Sequence, residues 1–286
     1  MFHGLQQIAE KCEKDNQEFW KLILLEDSRE KSIPKEEVFK KMEGMYQAMK
    51  AADMSYDGKK SASGMVGADG QKLAEYHQTG NSILGGFVRS VMERAIRTGE
   101  CNACMKRIVA APTAGSCGVL PAVLISYQQK TGCSDKEIAE ALFVAAGIGG
   151  VIAERASIAG AQGGCQAEIG SASAMAAGAM VHLQGGSSQQ IIHAAAIALK
   201  GLLGLVCDPV GGLVEVPCVK RNVIGAVNAV TSADMAMAGV VSVIPPDEVI
   251  DAMDEIGRNL PKQYKETSEG GLAVTATAQE IVRQLQ

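Results

Sequence analysis

Long stretches of small side chains constrain this fold more than any other feature of the sequence. The segment 160–183, GAQGGCQAEIGSASAMAAGAMVHL, begins with glycines and lacks the β-branched runs that favour strands. Aromatic residues make up only 4% of the chain whereas glycine occurs 32 times, so its helices must approach one another through small side chains. No strand-like alternation and no internal repeat is found. The sequence therefore predicts an all-α fold, a single helical domain with closely packed helices and glycine-rich loops.

Two capping boxes mark helix starts in the second half of the chain. Ser134 with Glu137, and Ser187 with Gln190, each precede an apolar run and can satisfy the free N–H groups of a first helical turn. The second of these helices is predicted to extend to Cys207. Beyond it, the prolines and glycines of CDPVGGLVEVPCVKRN forbid a continuous helix, which predicts a structured turn between two helices.

The chain is interpreted as one domain, 1–286, whose N-terminal part is charged. Two amphipathic segments, about 4–28 and 34–52, predict a surface helical hairpin within residues 1–52. Residues 53–286 would then form the helical core that holds the functional site. From 51 to 86 the sequence turns glycine- and serine-rich, as in SYDGKKSASGMVGADGQKL, and predicts a loop long enough to be functional.

Charge and hydropathy exclude several classes of function. The formal net charge is -5 and no run of lysine or arginine occurs, which disfavours nucleic acid and membrane surfaces as partners. The first residues carry acids and no apolar core of a secretory signal, so a cytoplasmic protein is expected. The most apolar stretch, 223–245, is interrupted by polar residues such as Asn228 and Asp234, and predicts a buried helix rather than a membrane span.

Three of the eight cysteines lie where the sequence predicts junctions of helix and loop: Cys165, Cys207 and Cys218. Free N–H groups and the helix dipole stabilise a thiolate at a helix N-terminus, which applies to Cys165 and Cys218. The predicted position of Cys207, at a helix C-terminus, would need a metal to offset the unfavourable dipole. The spacing C-x41-C-x10-C is not a compact metal signature, and three buried core cysteines remain an equal alternative on the residues alone.

Four separated blocks resemble one known family. GCQAEIGSASAMAAGA, CDPVGGLVEVPCVKRN, IVAAPTAGSCGVLPAVL and SASGMVGADGQKL are similar to the alpha chain of bacterial iron–sulfur L-serine dehydratases, in the family's order and over nearly the whole chain. The resemblance implies a helical alpha domain and conversion of L-serine to pyruvate and ammonia without pyridoxal phosphate. It also implies a [4Fe-4S] cluster on Cys165, Cys207 and Cys218.

The resemblance directs attention to the residues that would act on the substrate. Three thiolates leave one iron of a four-iron cluster without a protein ligand, and that iron would act as a Lewis acid. The general base is not evident; Lys72 is the candidate, against the alternative of a solvated or carboxylate-binding lysine. Hydroxyl, amide and backbone groups of two loops are expected to bind the substrate, against the alternatives of ordinary turns and caps. The candidate substrate-binding residues are Ser61, Ser63, Lys72, Asn102, Thr113, Gly115 and Ser116.

Partners and alternatives follow from the same resemblance. Alpha and beta parts of the family occur fused or as separate chains, so a separate beta subunit and an oligomer are expected here. A related elimination on L-threonine or L-cysteine is the second enzymatic hypothesis, and a non-catalytic iron–sulfur or zinc module is the third. Dispersed thiols among glycines suit a large cluster better than a tetrahedral zinc ion.

The other cysteines, histidines and acids carry weaker signals. The pair Cys101 and Cys104 has no second pair, so packing on a helix is favoured over zinc or redox chemistry. First-turn acids near the cluster cysteines are interpreted as caps. The remaining residues considered are Cys12, Cys117, Cys133, His77, His182, His193, Glu168, Glu215 and Asn222.

Overall fold

The computed structural model describes residues 2–285, and within them it contains thirteen α-helices and no strand. The prediction of a single all-α domain is confirmed. In chain order the helices are α1 (Leu5–Asp15), α2 (Phe19–Lys31), α3 (Lys35–Met54), α4 (Asp69–Gln78), α5 (Gly86–Ala103), α6 (Val119–Thr131), α7 (Asp135–Arg155), α8 (Gly160–Gly163), α9 (Ser171–Leu183), α10 (Ser188–Lys200), α11 (Cys218–Met237), α12 (Pro246–Asn259) and α13 (Ala276–Leu285). Short 3₁₀ turns and one π-helical turn connect some of them.

The N-terminal region differs from the predicted hairpin. Asn16 adopts a left-handed conformation with φ 47° and ends α1, so the segment predicted over about 4–28 is two helices. Helices α2 and α3 pack against α7, and Phe19, Trp20 and Tyr46 are buried there. These helices therefore belong to the core rather than to a surface hairpin, because the rest of the domain covers their apolar faces.

Helix α9 is the centre of the domain. Every residue from Ser171 to Val181 is buried, and α9 packs against α7, α10, α11 and α6. Glycines on its neighbours permit this close contact: a Cβ on Gly149 would lie 2.9 Å from the sulfur of Met175. An added methyl group at such a contact would overpack the core, at a cost of about 1–3 kcal/mol. The expected packing through small side chains is thus observed.

Local signals place several helix ends correctly. The hydroxyl of Ser134 accepts from the N–H of Glu137 at 3.2 Å, and the Glu137 carboxylate accepts from the N–H of Ser134 at 2.7 Å. Ser187 and Gln190 form the same reciprocal pair at the start of α10. The apolar stretch 223–245 forms most of α11, which ends at Met237. Within residues 2–285 no helix combines the length and the apolar character that crossing a bilayer requires.

Candidate functional site

Two of the three cysteines occupy the predicted helix starts. Cys165 directly precedes the π-helical turn Gln166–Gly170, which continues into α9. Cys218 is the first residue of α11. Both thiols therefore stand at the N-terminal end of a helical segment, although nearby N–H groups are already paired: that of Gln166 donates to the carbonyl of Leu205 at 2.9 Å and that of Val219 to the carbonyl of Glu215 at 3.0 Å.

The prediction that α10 reaches Cys207 is wrong. The helix ends at Lys200, and Gly204 takes a left-handed conformation with φ 81° that starts a new chain direction. Cys207 lies in extended backbone; its N–H donates to the carbonyl of Tyr264 at 2.9 Å and its carbonyl accepts from the N–H of Glu266 at 3.0 Å. No helix C-terminus therefore opposes a thiolate at Cys207.

The three thiols converge in one buried volume. Charge on Cys218 raises the pKa of Cys165, and charge on either of these raises the pKa of Cys207, so each thiol is within electrostatic reach of another. Burial is the largest cause in each case: it raises the pKa of Cys165 to about 12 and that of Cys218 to about 11, and the pKa of Cys207 is also raised. Burial thus outweighs the lowering expected at the helix starts. Only the thiolate binds a metal, so ligation would release these protons.

Arg221, on the first turn of α11, ties two of the cysteine segments together. Its guanidinium donates to the carbonyl of Val206 at 2.7 Å and to the carboxylate of Asp208 at 2.9 Å. Its charge also opposes the effect of burial by lowering the pKa of the Cys165 thiol. A buried cation beside several thiols stabilises their ionised form.

The carboxylate of Glu168 lies against the thiol of Cys207. Its Oε2 lies 4.0 Å from the sulfur of Cys207, and its Oε1 accepts a hydrogen bond from the hydroxyl of Thr113 at 2.6 Å. Burial raises the pKa of Glu168, while the bond from Thr113 lowers it in part. A Cβ on Gly115 or Gly160 would lie 3.0 or 2.7 Å from the carboxylate oxygens, so only glycine leaves room for this side chain. The sequence interpretation of Glu168 as a cap misses this placement.

Three predicted substrate residues form one 3₁₀ turn beside Glu168: Thr113, Gly115 and Ser116. Thr113 and Ser116 close the turn through a capping box, with 3.2 Å between their hydroxyl oxygens. The amide of Asn222 donates to the carbonyl of Gly115 at 2.8 Å. Asn102, at the end of α5, donates to the carbonyl of Ala114 at 3.3 Å. These contacts fix the turn against the segment that begins with Cys218.

Ser61 and Ser63 belong to a different polar cluster. Their hydroxyls donate to one oxygen of Glu215 at 2.7 and 2.5 Å, and Glu215 is buried three residues before Cys218. Because both protons are used by Glu215, neither hydroxyl is available to donate to a substrate carboxylate in this arrangement. The two serines hold their loop against the segment that leads into α11.

Lys72 does not have the environment that a general base needs. Its side chain is 72% exposed and its ammonium lies 2.9 Å from the carboxylate of Asp69. That pairing raises the pKa of Lys72, whereas a lysine base needs a lowered pKa. Asp69 also binds Lys220 at 2.7 Å, so Lys72 is part of a solvated ion-pair network at the start of α4.

A segment near the C-terminus covers Cys207. We call residues 261–275 the C-terminal strap. The N–H of Leu272 donates to the carboxylate of Asp208 at 2.8 Å, and the hydroxyl of Ser268 donates to the carbonyl of Pro209 at 2.7 Å. The charge of Glu266 raises the pKa of Glu168 and of two of the thiols, so this carboxylate lies within electrostatic reach of the site.

Three of the other cysteines and His193 have hydrogen-bond partners within the fold. Cys101 and Cys104 donate to separate backbone carbonyls, at 3.7 and 3.4 Å. Cys117 is buried and its thiol lies 3.9 Å from a carbonyl of α5. His193 accepts a hydrogen bond from the N–H of Ser242 at 3.3 Å. These contacts favour the interpretation of these residues as structural.

The thiol arrangement differs from that of a single-ion site. Among residues 2–285, no three His, Cys, Asp or Glu side chains are grouped closely enough to hold one metal ion. An iron–sulfur cluster is larger than one ion and takes thiolates on separate irons, so wider spacing and burial suit it. On the outer side of the turn that carries Cys165, a cavity of about 390 Å³ is lined by Gly163, Gln166 and Lys265 among others. Its volume is in the range of small-molecule sites.

The fold and the site together are typical of one class of protein, those that act on small molecules. This is an all-α domain in which three buried thiols, a carboxylate and a guanidinium face one another among glycines, as expected of a protein that acts on a small molecule rather than on a macromolecule. The chain matches the family profile described as "Serine dehydratase alpha chain" over residues 7–273. It belongs to that family.

Three relatives match nearly the whole of this chain, and two of them are themselves matched along nearly their whole length. The chain is 43% identical over 286 residues to a "Probable L-serine dehydratase, alpha chain" of Bacillus subtilis, covering 100% of this chain and 95% of the relative. It is 41% identical over 285 residues to the "L-serine dehydratase, alpha chain" of Peptoniphilus asaccharolyticus, covering 99% and 98%. An "L-serine dehydratase" of Helicobacter pylori is 34% identical over 282 residues, which are 96% of this chain and 62% of that relative.

Proposed function

We propose that this chain is the catalytic alpha subunit of an L-serine dehydratase, a lyase that eliminates water from L-serine to give pyruvate and ammonia without pyridoxal phosphate. Family membership and the names of the relatives support the reaction and the substrate. The single observation that carries the proposal is the buried convergence of Cys165, Cys207 and Cys218 beside the carboxylate of Glu168.

The three cysteines fit a [4Fe-4S] cluster as its protein ligands. Thiolates are the usual ligands of such clusters, and the charge of Arg221 favours ionised sulfur at Cys165. Gly160 keeps the surroundings of Cys207 small, because a Cβ there would lie 3.1 Å from the sulfur. When bound, the cluster supplies an iron that lacks a thiolate ligand and acts as a Lewis acid toward the substrate hydroxyl and carboxylate.

Glu168 is proposed to take the α-proton of the substrate. Thr113 holds one carboxylate oxygen and leaves the other directed to the side of Cys207. Removal of the α-proton by that oxygen and loss of hydroxide from the β-carbon give aminoacrylate. Its imine tautomer then reacts with water to give pyruvate and ammonia, so the atoms balance. The burial that raises the pKa of Glu168 also makes its carboxylate a stronger base.

The turn 113–116 and Asn102 are proposed to orient the substrate from one side of Glu168. Ser61 and Ser63 are proposed to support the site through Glu215 rather than by donating to the substrate. Both assignments rest on the hydrogen bonds that these residues form within the chain.

A second subunit and an oligomer are part of the proposal. The Helicobacter pylori relative is matched over only 62% of its length, so it carries a further part that has no counterpart in the match. The names of the Bacillus subtilis and Peptoniphilus asaccharolyticus relatives include "alpha chain", which indicates a partner for each of them. A separate beta chain is therefore proposed as the partner of this one.

The proposed reaction can be tested by incubating anaerobically purified protein with L-serine, with and without a beta chain. We expect pyruvate and ammonia in equal amounts, and a higher kcat/KM for L-serine than for L-threonine or L-cysteine. Pyruvate is measured by a coupled assay and iron and sulfide by chemical analysis. A preparation that contains the cluster and the beta chain but forms no keto acid from any of the three amino acids would show the proposal to be wrong.

Replacement of Lys72 is expected to have a small effect. The variant Lys72→Met should retain its iron and sulfide content and its kcat within about threefold, because an exposed lysine paired with a carboxylate contributes little free energy. The measurement is pyruvate formation over a range of L-serine concentrations. A loss of more than about 100-fold in kcat at full cluster content would instead identify Lys72 as a catalytic group.

A further inference from the structure

A second polar cavity lies beside α4 and α5, away from the cysteines. It has a volume of about 450 Å³. Its charged and ionisable lining consists of His77, Arg89, Glu93, Arg94 and Arg97, and we call it the arginine cavity. None of the residues that line it belongs to the thiol site, and Arg89 lies about 20 Å along α5 from Asn102 at 1.5 Å per residue, so the cavity is distinct from that site.

The carboxylates near the arginine cavity do not balance its positive charge. Asp53 forms an ion pair with Arg94. Glu93 is shared, because one of its oxygens lies 3.5 Å from Arg97 and the other lies 2.5 Å from the imidazole of His77. Three guanidinium groups thus face two carboxylates, which leaves one positive charge unmatched before His77 is counted.

Arg89 is the unmatched cation. Within residues 2–285 it pairs with no carboxylate, and it donates to the backbone carbonyl of His77 at 3.2 Å. The Nε–H groups of Arg89, Arg94 and Arg97 are all buried without an acceptor in this part of the chain. Buried donors that lack an acceptor are unfavourable, and one ligand with several acceptor oxygens can pair with guanidinium groups in a bidentate manner.

We propose that the arginine cavity binds a small oxyanion, a phosphate or carboxylate group, with Arg89 as its principal partner. The planar guanidinium matches both kinds of group, and the unmatched charge favours an anion over a neutral ligand. His77, one of the histidines to which the sequence assigns no role, lies in the lining of this cavity. An acidic segment of a partner chain is the competing occupant; a small ligand is favoured because a single oxyanion group balances the one unmatched guanidinium charge.

Calorimetric titration of the full chain tests this site without measuring activity, so its outcome is independent of the proposed reaction. Inorganic phosphate and succinate are titrated separately at constant ionic strength. We expect saturable binding of at least one of them at one site, weakened about tenfold or more by Arg89→Met and unchanged by Arg29→Met, which removes an exposed arginine of α2. The probe that binds distinguishes a phosphate from a carboxylate ligand.

Circular dichroism and thermal unfolding show whether each variant is folded. If Arg89→Met does not fold, Arg89→Lys replaces it, because lysine keeps the charge but loses the bidentate geometry, and the same weakening is expected. Binding of both probes to a folded Arg89 variant as tightly as to the wild type overturns the proposal. If neither probe binds to the wild-type protein, the proposal is overturned as well. This holds also when an Arg89 variant fails to bind the beta chain, because the cavity then serves a protein partner.

Discussion

Replacing Cys165, Cys207 or Cys218 by serine is expected to remove the visible absorption of an iron–sulfur cluster and to lower pyruvate formation by at least about 100-fold. Each of these thiols is buried among the others, so none can be replaced by a neighbouring cysteine without movement of the backbone. Serine is nearly the same size as cysteine but is a poor ligand for iron in such clusters. Loss of activity would therefore report ligation rather than packing.

Two other cysteines serve as matched controls for this prediction. Cys12 is buried in α1 and Cys133 is partly exposed in the loop between α6 and α7, both outside the site. Cys12→Ser and Cys133→Ser should keep the iron and sulfide content and the activity of the wild type. The measurements are anaerobic absorption spectra, iron and sulfide analysis and pyruvate formation. Any one of the three site variants that keeps both cluster and activity would contradict the ligand assignment.

Signals that act within one helical turn could be predicted from the sequence. The capping boxes at Ser134 and Ser187 need only residues three positions apart, and both are observed. The break between the predicted segments 4–28 and 34–52, where α2 ends at Lys31, and the small-residue character of α9 are local features of the same kind. The end of α1 at Asn16 is also local, because asparagine adopts the left-handed conformation more readily than most residues and its N–H caps the carbonyls of Cys12 and Glu13; the predicted segment 4–28 overlooks this signal.

The position of Cys207 shows why an apolar run can mislead. The sequence IIHAAAIALKGLLGLV continues apolar past the end of α10, so periodicity alone extends the helix to the cysteine. In the fold, the chain instead turns at Gly204 and pairs with the C-terminal strap through Tyr264 and Glu266. These partners are about 60 residues away along the sequence, and no local pattern identifies them.

The candidate site was accessible from the sequence only in part. Motifs in the order of a family identify Cys165 and its partners, and the structure brings these thiols together. The acceptors of Ser61 and Thr113 are carboxylates more than 50 residues away, so their contacts follow from the packing of loops. The placement of Glu168 also follows from the packing of loops, because two glycines of other segments leave room for its side chain.

The raised pKa of Glu168 determines which change in pH dependence is expected when this residue is replaced. Burial raises its pKa, so the protonated form persists to higher pH than in an exposed carboxylate. A base must be deprotonated to act, and activity should therefore fall as the pH decreases through this raised pKa. Glu266, exposed on the C-terminal strap, raises the pKa further by repulsion and provides a control carboxylate near the same thiols.

Glu168→Gln should lower kcat by about 100- to 10,000-fold while the cluster content remains that of the wild type. Glutamine keeps the size of the side chain and can still accept the hydrogen bond from Thr113, so the thiol site should keep its structure. The acidic limb of the profile of kcat/KM against pH should disappear in this variant, because the titrating base is gone. Glu266→Gln should keep that limb and change kcat only a few-fold.

Cluster content is measured by iron analysis and absorption, and kcat by pyruvate formation across the pH range. If Glu168→Gln retains both its activity and the acidic limb, another group removes the α-proton; if it loses iron in parallel with activity, Glu168 supports the cluster instead.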